Sequence, residues 1–235
     1  LGNLLRGDLG VSYVNNVPIA DLIGNRLVNS LKLAGVTAAI SVPVALFLGI
    51  TAAIMRGTIY DRIVSIITIS VISVPEFMVA TIAVIIFAVY LGWLPALSMA
   101  NEVTSFVGLL KVFAMPVITL SFVISAQMIR MTRAAVLETL NTSYVEMALL
   151  KGASRTRMVV VHALPNALGP IVNAVALSLS YLLGGVIIVE TIFNYPGVAK
   201  LMLDAVATRD LPLIQTCAMI FCFGYLLLIT IADLI

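Results

Sequence analysis

Charge is what this chain lacks most: 10% of its 235 residues are Asp, Glu, Lys or Arg, against 62% hydrophobic residues and a mean hydropathy of +1.17. That balance excludes a soluble globular domain and identifies an integral membrane protein. The 13 basic and 11 acidic residues leave a net charge of +2, and the cations are scattered, so no basic stripe marks a nucleic-acid partner. Both cysteines, Cys217 and Cys222, fall in one apolar run. Packing or lipid-facing roles suit them better than a disulfide framework or a metal site. The single histidine, His162, has no Cys or carboxylate at ligand spacing and no placed Ser and acid, which argues against a metal site and a nucleophilic triad. No GxxxxGK[ST] string is present, so the chain does not itself cradle nucleotide phosphates in a P-loop. The ten methionines are spread singly and suit packing.

What is present is long apolar runs, over about 31–55, 63–91, 109–129, 166–189 and 211–232. Each is long enough to cross a hydrocarbon core, which takes roughly 20 helical residues. Helices satisfy their own backbone in lipid, and the alternating pattern of a barrel strand is missing, so the fold class is all-α integral membrane. Lys and Arg set the orientation. Arg56 and Arg62 follow the first run, and Arg130, Arg133, Lys151, Arg155 and Arg157 follow the third; these loops are expected on the cytoplasmic side. Residues 1–30 then form an external segment. Within it Ile19, Leu22, Ile23, Leu27 and Leu31 make a helical stripe after Pro18, with Asp21, Asn25 and Arg26 off it, which predicts an interfacial helix on the outer surface. No signal peptide precedes this segment, so five visible spans are expected to be part of six, with an N-terminal one outside this sequence.

The polar island lies between the third and fourth runs: "YVEMALLKGASRTRMVVVHALPNALGP", residues 144–170. Ser143 and Glu146 have capping-box spacing, and Gly152 can end a helix in the left-handed conformation. The resulting helix, Tyr144 to Lys151, is about two turns, too short to be stable alone in water. A second segment starts near Ser154, carries Arg155 and Arg157, and meets Pro165, which is expected to re-aim the chain into the fourth span. One reading is a solvated loop that obeys the positive-inside rule; the other is a rigid pair of short helices presented to a cytoplasmic protein.

The spacing of Glu146, Ala148, Gly152, Leu164 and Pro165 resembles the EAA loop of binding-protein-dependent ABC importer permeases, with Met147 and His162 standing where that loop usually has Ala and an apolar residue. "YVEMALLKG" with "HALPNALGP" is similar to the dipeptide, oligopeptide and nickel permease subfamily. "GDLGVSY", "SVPEF", "RMTRAAVLE" (Arg130 to Glu138) and "ETIFNYPGVAKLMLDAVATRDLPLIQ" (Glu190 to Gln215) extend the likeness over nearly the whole chain. The resemblance implies a methionine-importer-permease-like fold and a coupling loop, residues 130–165, that seats in an ATP-binding subunit. The expected contact set is Glu146, Ala148, Gly152, Arg155, Arg157, Leu164 and Pro165. It also implies an external gate carrying Glu190, Pro196, Gly197, Arg209 and Asp210, which meets the substrate-binding protein, and it makes His162 an interfacial hydrogen-bonding residue of the coupling segment. The implied partners are a homologous permease in a heterodimer, two cytoplasmic ATP-binding subunits, an extracytoplasmic solute-binding protein and the lipid bilayer. The implied location is the bacterial inner membrane, and the chain is expected to translocate by alternating access, with no cofactor, metal or catalysis of its own.

Glu76 lies within the second run beside Pro75 and near Ser73. A carboxylate at that depth costs on the order of 3 kcal/mol or more and is a functional-site hypothesis by default. Irregular backbone there is tolerated where it faces protein or a water-filled cavity, so Ser73, Pro75 and Glu76 are candidates for a substrate pathway facing a cationic group. The other reading places Glu76 near the external interface or against a neighbouring subunit. Two other classes compete. A secondary transporter would use Glu76 for ion coupling, but several intramembrane ionisable groups or an inverted repeat should accompany it. An intramembrane hydrolase would need a nucleophile with His or paired acids at span depth. The transported solute is not written in the chain; peptides, nickel complexes, opines and glycosides are handled by systems of the kind it resembles.

Overall fold

The computed structural model describes residues 9–98, 106–142, 145, 147, 154 and 157–234. Seven α-helices are described: α1 (Ile19–Ile54), α2 (Ile59–Ser73), α3 (Glu76–Ala83), α4 (Phe106–Leu140), α5 (Leu164–Ile192), α6 (Val198–Thr208) and α7 (Leu211–Asp233). Four of them, α1, α4, α5 and α7, are long and apolar enough to cross a membrane, and the bent pair α2–α3 makes a fifth if taken as one span. Among the described residues the only β interaction is an isolated bridge between Val11 and Pro18. The all-α membrane fold is therefore as the hydropathy implies.

Local chemistry sets the breaks. Between α1 and α2 the chain turns at Gly57, whose φ of +84° lies in the region that only glycine enters without strain. Thr58 then caps α2, its hydroxyl accepting the Asp61 N–H, as a Ser/Thr cap with an acid three residues on should. The α2–α3 break falls at Pro75. Its ring crowds the preceding residue out of the helical region, and Val74 sits at φ −95°, ψ 127°. Beyond α3 the helix widens to π winding over Val84–Tyr90. A second π stretch, Met158–Ala163, leads into α5, with the Leu164 N–H reaching Val159 O.

Three expectations about boundaries are corrected. The outer helix expected within residues 1–30 is not a separate interfacial element; nothing between Ile19 and Ile54 interrupts α1. Its stripe is covered by protein rather than by a membrane surface, since Ile19 and Ile23 are buried in a cluster with Val198, Leu201, Ala205, Leu213 and Cys217, and of the stripe only Leu31 is well exposed, at 61%. The loop expected over 130–165 is shorter at both ends. α4 carries Arg130 and Arg133 on to Leu140, and helical winding resumes at Met158. Nor does Pro165 interrupt the winding, because the π stretch Met158–Ala163 runs directly into α5 at Leu164.

The chain divides into two compact units. One comprises residues 1–37, 76–120 and 182–227; its core is the cluster around Ile19 and Leu213, with the Phe113 and Tyr195 rings edge-to-face at 5.4 Å. The other comprises residues 38–75, 121–181 and 228–235. Its core is Ala53, Ala135, Val136, Val159, Ala167 and Ile171, from α1, α4, the π turn and α5. Half of that set is alanine, which suits a medium where lipid offers apolar groups as good a home as protein does. Helices then gain by close backbone approach rather than by escape from water. Gly49 shows the limit: a Cβ there would lie 2.9 Å from Thr132 Cβ and 3.0 Å from the Ile129 carbonyl oxygen.

Candidate functional site

Of the residues expected to form the coupling contact, Glu146, Ala148, Gly152 and Arg155 lie outside the described residues, as does the side chain of His162. Arg157 is exposed, and its N–H points at Ser154 Oγ at 3.4 Å. Pro165 is exposed as well. Leu164 is half-buried and packs on the Ala53–Ala135–Val136 cluster, which ties the last part of the expected coupling segment to α1 and α4.

The same unit holds an ion pair that the sequence reading did not anticipate. Arg133 Nε meets Asp61 Oδ1 at 2.6 Å and Arg133 Nη2 meets Oδ2 at 2.9 Å, while the Gly57 N–H adds a third bond to Oδ2 at 3.0 Å. This two-pronged geometry is the strong form of an Arg–carboxylate contact. It joins the first turn of α2 to α4. The signal in the sequence was Thr58 with Asp61 at capping-box spacing.

The expected external-gate residues fall in two places. Glu190, in the last turn of α5, is 0% exposed. Its carboxylate accepts from the Ser30 hydroxyl and from the Lys200 N–H at 3.1 Å, and a Cβ on Gly197 would fall on top of it. The turn that follows is bonded throughout. Tyr195 OH donates to Asn29 O at 2.9 Å, and Asn29 Nδ2 donates to Pro196 O at 3.0 Å. Beside Pro196 lies a recess of about 360 Å³ lined by Asn25, Arg26, Val28, Asn29 and Lys32.

At the other end of α6, Arg209 takes a left-handed conformation, φ 59°, and Asp210 follows. The Asp210 carboxylate is buried and accepts from the Ser12 hydroxyl and from the Tyr13 N–H at 3.3 Å. Burial pushes its carboxyl up, but Ser12 and the N–H groups of Tyr13, Leu213 and Val14 outweigh that and hold it below the usual carboxylate range. Ser12 and Ser30 were missed by sequence reasoning. Nothing in the local pattern marks a serine whose partner is 198 or 160 residues away.

Of the three pathway candidates, Ser73 and Pro75 are exposed, with Ser73 Oγ returned to the Ile69 carbonyl at 2.8 Å. Glu76 lies against α5 at Gly185, where a Cβ would come within 3.0 Å of Oε2 and closer still to Oε1. Glu76 Oε1 is buried and has no hydrogen-bond partner among the described residues.

Comparison with known proteins places this arrangement. Residues 45–235 match the family described as "Binding-protein-dependent transport system inner membrane component". The glutathione transport system permease protein GsiC of Escherichia coli (strain CFT073) is 34% identical over 235 residues, covering all of this chain and 74% of that protein. A Sinorhizobium fredii protein described as a probable peptide ABC transporter permease is 34% identical over 232 residues, 99% of this chain and 74% of its own length. Among solved structures, the inward-facing MetNI methionine ABC transporter has a TM-score of 0.71 over 90% of this chain and 93% of that one. At 19% identity that likeness speaks for the fold alone. The chain belongs to the binding-protein-dependent transport system inner membrane components, and is a multi-pass inner-membrane permease subunit of an ABC importer, whose ATP is hydrolysed by a separate subunit.

Proposed function

We propose that this permease carries a small peptide-like solute inward by alternating access, driven through the string from Glu146 to Pro165. The observation that carries the substrate class is the 34% identity, along the whole chain, to a permease named for glutathione, with a similar match to one named for peptides. Glutathione is itself a small peptide with a free amino group. In this reading Glu146, Ala148, Gly152, Arg155, Arg157, Leu164 and Pro165 form the face gripped by an ATP-binding subunit. Closure of two such subunits rocks the permease pair between outward and inward openings. The second permease is a homologue rather than a copy, and an extracytoplasmic solute-binding protein delivers cargo at the segment from Glu190 to Asp210.

Glu76 is the residue assigned to the cargo. A buried carboxylate oxygen without a donor is poorly served by the protein, and the amino group of a passing peptide supplies both the charge and the N–H donors. Glu76, with Ser73 and Pro75 at the break beside it, therefore marks the pathway.

The test is uptake and ATP hydrolysis by the reconstituted importer. Gly152→Val is expected to leave ATP hydrolysis running while uptake falls at least tenfold, because a branched side chain disfavours the left-handed conformation in which Gly152 is expected from the sequence to end the coupling helix. Normal uptake by that variant would refute the coupling assignment. Glu76→Gln is expected to slow a solute with a free amino group and to spare its N-acetylated form. Equal rates for both would remove Glu76 from the pathway without touching the coupling loop.

A further inference from the structure

Helix α6 begins without a cap of its own. Gly197 stands at its N-cap position with extended backbone and no side chain to offer, although the first N–H groups of any helix need acceptors from outside it. Two other helices provide them. Ser30 Oγ on α1 accepts the Val198 N–H at 2.9 Å. The Glu190 carboxylate on α5 accepts the Lys200 N–H at 3.1 Å and takes a further bond from the Ala199 N–H. Ser30 donates its own proton to Glu190, which aims its lone pairs back at Val198. The pair does what a capping Ser or Asp does within one chain segment, but from a distance. A negative charge at this end of the helix is also favoured by the helix dipole.

This arrangement explains the glycine. Any Cβ at 197 would fall on the Glu190 carboxylate, so a residue that capped α6 in the ordinary way would expel the group that now does so. It also removes the hinge from the α5–α6 connection. The Tyr195 N–H returns to the Glu190 carbonyl at 2.9 Å and the Gly197 N–H to Tyr195 O at 2.8 Å. Tyr195 and Pro196 are both tied to Asn29.

We propose that Glu190 is a positioning residue that, with Ser30, fastens α6 to α5 and α1 so that α6 is carried as a fixed arm and not as a hinged flap. The arm is what the solute-binding protein meets, and this step rests on the external-gate reading of residues 190–210 given above. A docking surface held in one attitude binds without first being ordered, and that saving appears as affinity.

The experiment uses the assembled importer in lipid nanodiscs and reads two quantities: hydrogen exchange of the Val198–Lys200 amides, and the concentration of solute-binding protein that half-maximally stimulates ATP hydrolysis. In Glu190→Ala the amides should exchange at least tenfold faster and the half-maximal concentration should rise at least fivefold. Glu190→Gln should stay within twofold of wild type on both, since an amide still accepts from the Lys200 N–H and can donate to Ser30 Oγ. Should Glu190→Ala not assemble, Ser30→Ala carries the test, with faster exchange confined to the start of α6 and a smaller loss of stimulation in the same direction. Wild-type exchange in both alanine variants overturns the cap. Faster exchange with unchanged half-maximal concentration overturns the arm while the external-gate reading stands. A wild-type importer that its binding protein does not stimulate overturns that reading, and the proposal with it.

Discussion

Arg133→Ala is expected to destabilise the permease by about 3 kcal/mol, the lower end of what is seen when one partner of a buried ion pair is removed. Asp61 is 6% exposed and receives two of its three side-chain bonds from Arg133. The alanine variant leaves a little-exposed carboxylate with the Gly57 N–H and the more distant charge of Arg56. The partial exposure of the Arg133 side chain, 27%, is why the lower end applies, since some solvent reaches the guanidinium already. Arg133→Lys should fall between, because an ammonium is a point charge and does not span both oxygens. The check is the thermal unfolding midpoint of the purified importer. Pairing Arg133→Ala with Asp61→Asn should recover part of the loss, the sign expected when two residues share one interaction. An Arg133→Ala midpoint within a degree of wild type would show the pair to be without weight.

Gly49→Leu is expected to prevent α1 and α4 from meeting. The nearest atoms to a side chain at 49 are Thr132 Cβ and Cγ2 and the Ile129 carbonyl oxygen, at 2.9–3.0 Å. A methyl group can turn aside, whereas a helix carbonyl cannot. Gly49→Ala forces the two helices apart by a few tenths of an ångström and should cost about 1–3 kcal/mol, as overpacking usually does. Leucine adds three more heavy atoms to a Cβ that is already too close to Thr132 and to the Ile129 carbonyl. The measurement is the yield of monodisperse, assembled importer after membrane extraction, with alanine reduced and leucine near zero. Leucine tolerated at wild-type yield would mean that the α1–α4 contact is not the packed seam described above.

Much of this architecture is legible in the sequence, and the reasons it stops being legible are physical. A run of about 20 apolar residues has few fates, so all five spans could be placed, and Pro75 announced the break in the second. Boundaries went astray where charge was taken as the end of a helix. Arg130 and Arg133 look like a loop until Asp61, 72 residues earlier, is known to face Arg133. The stripe from Ile19 to Leu27 looked lipid-bound because the residues that cover it, Val198 to Cys217, lie far along the chain. Glu190, Gly197 and Asp210 could be named as a set from their resemblance to a known gate. Their work as helix caps and anchors could not, since it depends on serines 160 and 198 residues away along the chain.

The π stretch at Met158–Ala163 gives the chain entering α5 a reserve. Winding of this kind holds one residue beyond what an α-turn takes, so tightening it to α-helix would release one residue, about 1.5 Å of helix rise, to the segment before it. On the proposed coupling role, a pull on the string would draw on that residue first and would have to unseat Val159 from the core it shares with Ala53 and Val136.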